Sequence, residues 1–272
     1  MTAPSTAPST APASAPASPT ARVPATAAAS VLCSFVDPRI TESSGLAVLG
    51  DRIWTHDDSG DGPRLFGLDR RCRTVAVLTL AGTDARDWED LAATTPGTLW
   101  VADIGDNRAV RDRGVLVHRV PVPDRSGSRT VTPTSYRLRF EDSPRDAEAL
   151  LVHPRTGQLL VVEKVRFGGA GVYAAPQPMA AGTLRRVGEV RVGAVTGGAV
   201  SPRGDRVVLR TYTAAYEWAV TGDDLAAALA GTPERVALPA SEQGEGISYD
   251  TDGRSWLLSS EGESAPVHRV AR

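Results

Sequence analysis

From residue 31 onward, short aliphatic runs alternate with polar turn clusters, and one pattern recurs. A polar or acidic pair precedes small residues and then an aliphatic strand, at Glu42–Leu46, Asp87–Leu91, Asp146–Leu150, Thr196–Val200 and Gln243–Ile247. Taking Leu46, Leu91, Leu150, Val200 and Ile247 as anchors, the spacings are 45, 59, 50 and 47 residues. A period of ~40–50 residues is that of a propeller blade. Each copy is followed by a second run rich in β-branched and aromatic residues: Arg52–His56, Thr98–Ala102, Gln158–Val162, Arg206–Arg210 and Ser255–Ser259. Such residues fit a pleated, half-buried surface. Pro154–Gly157 and Ser201–Gly204 read as the turns between first and second strands. Third strands are expected at Arg64–Leu68, Val115–Arg119, Gly171–Ala174 and Pro266–Val270. Fourth strands are expected at Val75–Leu80 and Ser135–Phe140.

The last copy ends after its third strand, and Val31–Phe35 stands unassigned before the first. The two chain ends can therefore share one blade, which closes a ring and removes exposed sheet edges. The fold predicted is an all-β, five-bladed propeller over residues 31–272. A sixth blade hidden in the 59-residue interval is disfavoured, because residues 87–140 already parse as four strands and a long loop at 104–114. One helix is expected at Leu225–Ala230, capped by Thr221–Asp224 and stopped by Gly231. Residues 1–30 are nearly all Ala, Pro, Ser and Thr, a composition that builds no core and reads as a flexible tail. No basic segment followed by an apolar run marks a secretory leader there.

Thirty basic and 32 acidic residues leave a net charge of −2, so bulk attraction to nucleic acid is not expected. No apolar stretch approaches the ~18 residues of a membrane span. The chain is expected to be a monomer. Cys33 and Cys72 are the only cysteines; a bridge between them and two separate thiols are both open, and a bridge would favour an extracytoplasmic protein.

First strands line a propeller's channel, so equivalent positions form rings. Two residues before the anchors stand Ser44, Glu89, Glu148, Gly198 and Glu245; four before stand Glu42, Asp87, Asp146, Thr196 and Gln243. Converging carboxylates repel one another, and burying them unpaired is costly. A hard divalent cation removes that cost, and calcium accepts ~6–8 oxygen ligands. With no Cys/His cluster, zinc and copper are not expected. The competing reading has the acids bonded to backbone amides or paired with Arg86 and Arg145.

A second cluster falls at the ends of the second strands: His56, Asp57, Asp58 and Asp61; Asp103, Asp106, Asn107 and Arg108; Glu163 and Lys164; Arg210 and Tyr212; Glu261. Of these, His56, Asp57, Asp103, Glu163, Lys164 and Arg210 are the candidate catalytic residues. Cations would hold a phosphate ester while a carboxylate or His56 activates water. The alternative is turn capping and ion pairing, with Trp54, Trp100 and Trp256 packed between blades. No nucleophile elbow and no phosphate-cradling glycine loop is present.

Glu42–Gly60, with Ser44, Gly45, Leu46, Asp57 and Asp58, resembles the first blade of the calcium-activated nucleotidase (soluble apyrase) family. The resemblance implies a five-bladed propeller with one tunnel calcium held by Ser, Glu, Glu, Ser and Glu. Those positions map to Ser44, Glu89, Glu148, Gly198 and Glu245, and Gly198 departs from the pattern. The short motifs at 42–46, 87–90, 103–107 and 243–246 also resemble actinobacterial propellers for which the resemblance implies no activity, and more distantly phytase-like and gluconolactonase propellers. The functions that follow are a calcium-stabilised module binding a small molecule, peptide or glycan, or a metal-dependent phosphoester or phosphoanhydride hydrolase.

Overall fold

In the computed structural model, which describes Met1 and residues 28–272, every predicted run is a strand. The first group is β1 (Ala29–Ser34), β2 (Ser43–Leu49), β3 (Arg52–Asp57), β4 (Arg64–Leu68) and β5 (Thr74–Leu80). It is followed by β6 (Trp88–Thr94), β7 (Thr98–Asp103), β8 (Val115–Pro121), β9 (Gly127–Val131) and β10 (Thr134–Phe140). Then come β11 (Ala147–Val152), β12 (Leu159–Glu163), β13 (Ala170–Ala174) and β14 (Gly182–Val190). The chain ends with β15 (Val195–Val200), β16 (Arg206–Thr211), β17 (Ala214–Ala219), a short helix α1 (Leu225–Leu229), β18 (Glu234–Ala237), β19 (Gly244–Tyr249), β20 (Trp256–Ser260) and β21 (Pro266–Val270). Asp224 caps α1 as expected, its carboxylate accepting from the Ala226 and Ala227 amides.

Each repeat forms an antiparallel meander, and β1 pairs antiparallel with β21, so the two chain ends share the sheet β1-β21-β20-β19. That pairing begins at Ala29, which moves the start of the folded region two residues ahead of the expected boundary. The remainder of the expected tail, residues 2–27, lies outside the described residues. The first strands β2, β6, β11, β15 and β19 pack side by side in a closed circuit, β19 returning to β2. Apolar clusters fill the spaces between successive meanders. Trp54 packs with Leu91 and Val101, Trp100 with Leu150 and Val161, and Leu160 with Leu209 and Trp218. Val208 packs with Ile247 and Trp256, and Leu257 with Leu46 and Phe66. The tryptophans thus pack between meanders, as expected. Gly67 is required there, since a Cβ on it would stand 2.8 Å from the Trp54 ring.

Two pairings were not legible in the repeat. After β8 the chain detours to add β9, parallel to β5, as a fifth strand of the first sheet. It then returns as β10, whose end pairs parallel with β14 and joins two meanders into one eight-stranded sheet. This detour absorbs the long interval. Among the described residues no helix is long and apolar enough to cross a membrane.

Cys33 and Cys72 form a disulfide between β1 and the turn after β4. It staples the terminal strand to the neighbouring sheet, where β1 otherwise buries little: Val31 is 59% exposed. Bonds of this kind persist in oxidising compartments.

Candidate functional site

All five first strands carry the same irregularity near their starts. Pairing runs Ser43 to Asp57 and then Leu46 to Thr55; Trp88 to Asp103 and then Asp90 to Ala102; Ala147 to Glu163 and then Ala149 to Val162. It runs Val195 to Thr211 and then Gly197 to Arg210, and Gly244 to Ser260 and then Ile247 to Leu258. An unpaired residue at such a bulge is re-aimed out of the ladder. The residues so placed begin with Ser44, Glu89, Glu148, Thr196 and Glu245. Thr196 therefore takes the fourth ring position and Gly198 does not. Gly198 aligns with the aliphatic anchors, and a Cβ on it would meet Leu151 and Leu209 in the core. The true anchor of the fourth repeat is Gly198, two residues before Val200. The same shift puts Ala194, not Thr196, level with Glu42, Asp87, Asp146 and Gln243.

Glu89, Glu148 and Glu245 are at most 5% exposed, and Ser44 and Thr196 are fully buried. The Ser44 hydroxyl donates to the Glu89 carbonyl at 2.8 Å, and the Thr196 hydroxyl donates to the Gly244 carbonyl at 3.0 Å. Glu89, Asp146 and Glu148 each present a carboxylate oxygen within 4.8 Å of the other two. Gly105 makes this approach possible: a Cβ there would stand 2.1 Å from Glu89 Oε1 and 2.5 Å from the Asp87 carboxyl carbon. Lys164 Nζ donates to Glu148 Oε1 at 2.6 Å. Among the described residues the other oxygen, Glu148 Oε2, is buried without a hydrogen-bond partner. A buried acceptor left open beside two more carboxylates suits a cation with several oxygen ligands.

The ring's electrostatics follow from crowding. Burial, then the charges of Glu148, Asp87 and Glu245, push the Glu89 carboxyl well up. Burial pushes Glu148 to about 7 even though Lys164 pulls it down, and Glu245 is also raised, chiefly by burial. Burial works against the Lys164 ammonium, but Glu148 outweighs it and holds the amine protonated. Burial and Glu245 raise Glu261 to about 7.

These directions fix a pH trend. Between its ordinary 4.5 and about 7, Glu148 keeps a proton in the native state that the unfolded chain has released, so stability falls as pH rises. Glu261 acts in the same sense. His56 and His118, both driven to about 4 by burial, and His153 and His268, also lowered by burial, act oppositely with an effect that fades above their ordinary 6.5, whereas Glu89 and Asp90, raised well up by burial, go on adding to the fall. We therefore expect the melting temperature in chelator to fall from pH 6.5 to pH 7.5, followed by calorimetry; a rise over that interval would contradict the crowded ring.

Beneath the glutamates lies a residue that the repeat pattern did not single out. Asp90 is fully buried, and its Oδ1 accepts from the Leu91 amide at 2.8 Å. Its Oδ2 accepts from the Leu150 amide at 2.8 Å and the Gly198 amide at 3.1 Å, tying β6 to β11 and β15. Burial pushes this carboxyl up against the three amides that hold it down. The aligned positions are Gly45, Ala149, Gly197 and Gly246. Four small residues and one acid at a single ring position are the signal that marks it.

The second cluster proves less open than its sequence implies. His56 is fully buried against Trp88, with Nδ1 on the Asp57 carbonyl at 3.2 Å. Asp57 is buried, accepts from the Thr41 amide at 3.2 Å, and is raised to about 6 by burial. Asp103 is locked in a buried ion pair with Arg111 at 2.7 Å, and Asp106 accepts from the Val110 and Arg111 amides, stapling that loop. Glu163 accepts from the Gly171 amide at 2.7 Å and stands 3.4 Å from Arg145. Arg210 is buried, its Nη1 donating to the Gly246 and Ser259 carbonyls; burial lowers it to about 9. It is a strut between β16 and the β19–β20 pair and not a mouth cation, because its guanidinium lies inside the sheets. Of the six candidates, only Lys164 reaches the glutamate ring.

No protein-family profile matches this sequence, and no curated protein does. Solved structures are similar in fold. The glutaminyl cyclase of Myxococcus xanthus aligns over 92% of this chain and 100% of its own, with 11% identity and a TM-score of 0.55. The PQQ-bound aldose sugar dehydrogenase of Streptomyces coelicolor aligns over 91% of this chain and 99% of its own, with 11% identity and a TM-score of 0.52. Both are β-propeller-like enzymes, and at such identity the similarity is one of fold alone.

Proposed function

We propose that this chain is a five-bladed, extracytoplasmic, monomeric propeller whose tunnel mouth holds one calcium ion and binds a small molecule, peptide or glycan. The observation that carries the ion is the Glu89–Asp146–Glu148 triangle with Glu148 Oε2 buried and, among the described residues, unpartnered. Glu245, Ser44 and Thr196 supply the remaining oxygens of the ring. Thr196 in the fourth place restores a hydroxyl where Gly198 had left a gap in the nucleotidase-like pattern. The closed circuit of five first strands supports the blade count, and the disulfide supports the compartment. When bound, the ion would neutralise the ring and fix the mouth.

Calorimetric titration tests this reading. One calcium should bind per chain, with magnesium weaker because it demands a tighter octahedron. Glu89→Gln, Glu148→Gln and Glu245→Gln should each lower the affinity tenfold or more. Affinity indifferent to all three substitutions would refute the site. A second reading, the phosphoester or phosphoanhydride hydrolase, draws on Asp57, Glu148 and Glu261, carboxyls held near neutral pH where a general base works best. The burial of His56 and Arg210 and the pairing of Asp103 and Glu163 favour the binding module. A phosphoester screen that finds chelator-sensitive turnover would reverse that preference.

A further inference from the structure

Lys164 is the single lysine among 30 basic residues. It follows β12, and its amide donates to the Asp146 carbonyl at 3.0 Å. Its ammonium takes Glu148 Oε1 at 2.6 Å and stands 5.8 Å from the ring centroid of Tyr212. Tyr212 is 37% exposed and occupies the corresponding place after β16. A lysine is a compact point charge on a flexible stem, whereas an arginine fork binds a carboxylate in fixed geometry. The one non-arginine strong cation of the chain thus sits on the most crowded carboxylates, with an aromatic face beside it that can receive an ammonium.

We propose that Lys164 is the resident counter-cation of the glutamate ring and is the group that an incoming divalent ion displaces. This rests on the reading that the ring holds such an ion. The ammonium holds Glu148 Oε1 while the open acceptor is Oε2 of the same carboxylate, so an ion entering there and the ammonium repel across one buried group. Lys164 therefore sets the ring's affinity. It compensates the carboxylates when no ion is bound, and it swings toward Tyr212 and the mouth when one enters. Affinity is then reduced by the work of breaking the Lys164–Glu148 pair, and removing the ammonium should tighten binding.

The single lysine makes the exchange directly observable. Protein labelled with 13C at lysine Cε gives one lysine signal, which calcium should shift and a chelator should restore. In parallel, calcium titration of Lys164→Met should show at least tenfold tighter binding than the natural chain, with a lower melting temperature in chelator. A stationary signal with calcium bound, or equal affinity in both proteins, would overturn the exchange and leave the ring intact. Weaker binding by Lys164→Met would also overturn it, making the lysine a support of the site. If calcium binds neither protein, the ring reading falls and the exchange falls with it. Should Lys164→Met fail to fold, the lysine signal of the natural chain decides alone.

Discussion

Asp90→Ala is expected to remove at least about 3 kcal/mol of folding stability, because three buried backbone amides lose their acceptor at once and each unsatisfied donor costs about 1–3 kcal/mol. The amides belong to Leu91, Leu150 and Gly198, so the loss falls on the contact between three first strands and not on one. Domains are commonly stable by only ~5–15 kcal/mol, so the variant should unfold at much lower urea. Asp90→Asn should cost less, since the carboxamide oxygen still accepts. Urea titration of the three proteins checks this. A loss below about 1 kcal/mol for Asp90→Ala would show that water replaces the carboxylate and that Asp90 does not tie the strands.

Opening the Cys33–Cys72 bridge should cost a comparable amount. The cysteines are 39 residues apart, and the loop-closure relation gives about 4 kcal/mol. At ~2–4 °C per kcal/mol for a chain of this size, melting should fall by about 8–15 °C. The effect should be local in origin, since β1 is mostly exposed and held by its ladder to β21 and by the bridge. Melting the Cys33→Ser/Cys72→Ser double variant beside the natural chain measures it. A shift within 2 °C would mean that the ladder alone retains β1.

The order of strands was legible because each meander carries its own hydrophobic alternation and turn residues. The β1–β21 closure followed from a strand left over at one end and a strand missing at the other. What alternation cannot show is a pairing between repeats. The parallel contacts of β9 with β5 and of β10 with β14 leave no periodic trace. The ring was legible in four repeats and slipped by two residues in the fourth. There Gly198 replaces the aliphatic anchor, and Val200 is the nearest match by type. A two-residue slip keeps the same strand face, so the pattern itself gave no warning.

The second cluster failed for a different reason. Its residues stand at or just after the ends of second strands, but their accessibility depends on groups elsewhere in the chain. Arg111 claims Asp103, the Gly171 amide claims Glu163, and the β19–β20 carbonyls claim Arg210. Those partners lie 8, 8 and 36–49 residues away, and no local motif ties them. Lys164 kept its place at the ring because its amide is bonded to Asp146, two residues from Glu148.

The central claim, that the glutamate ring holds a divalent cation, is tested most directly by thermal unfolding with calcium, with magnesium and with chelator. At a hundredfold excess over its dissociation constant, a ligand of the native state adds about 2.7 kcal/mol, or about 5–10 °C here. The account predicts that rise with calcium, a smaller one with magnesium, and neither in Glu89→Gln. Identical melting under all three conditions would contradict it and leave Lys164 as the ring's permanent cation.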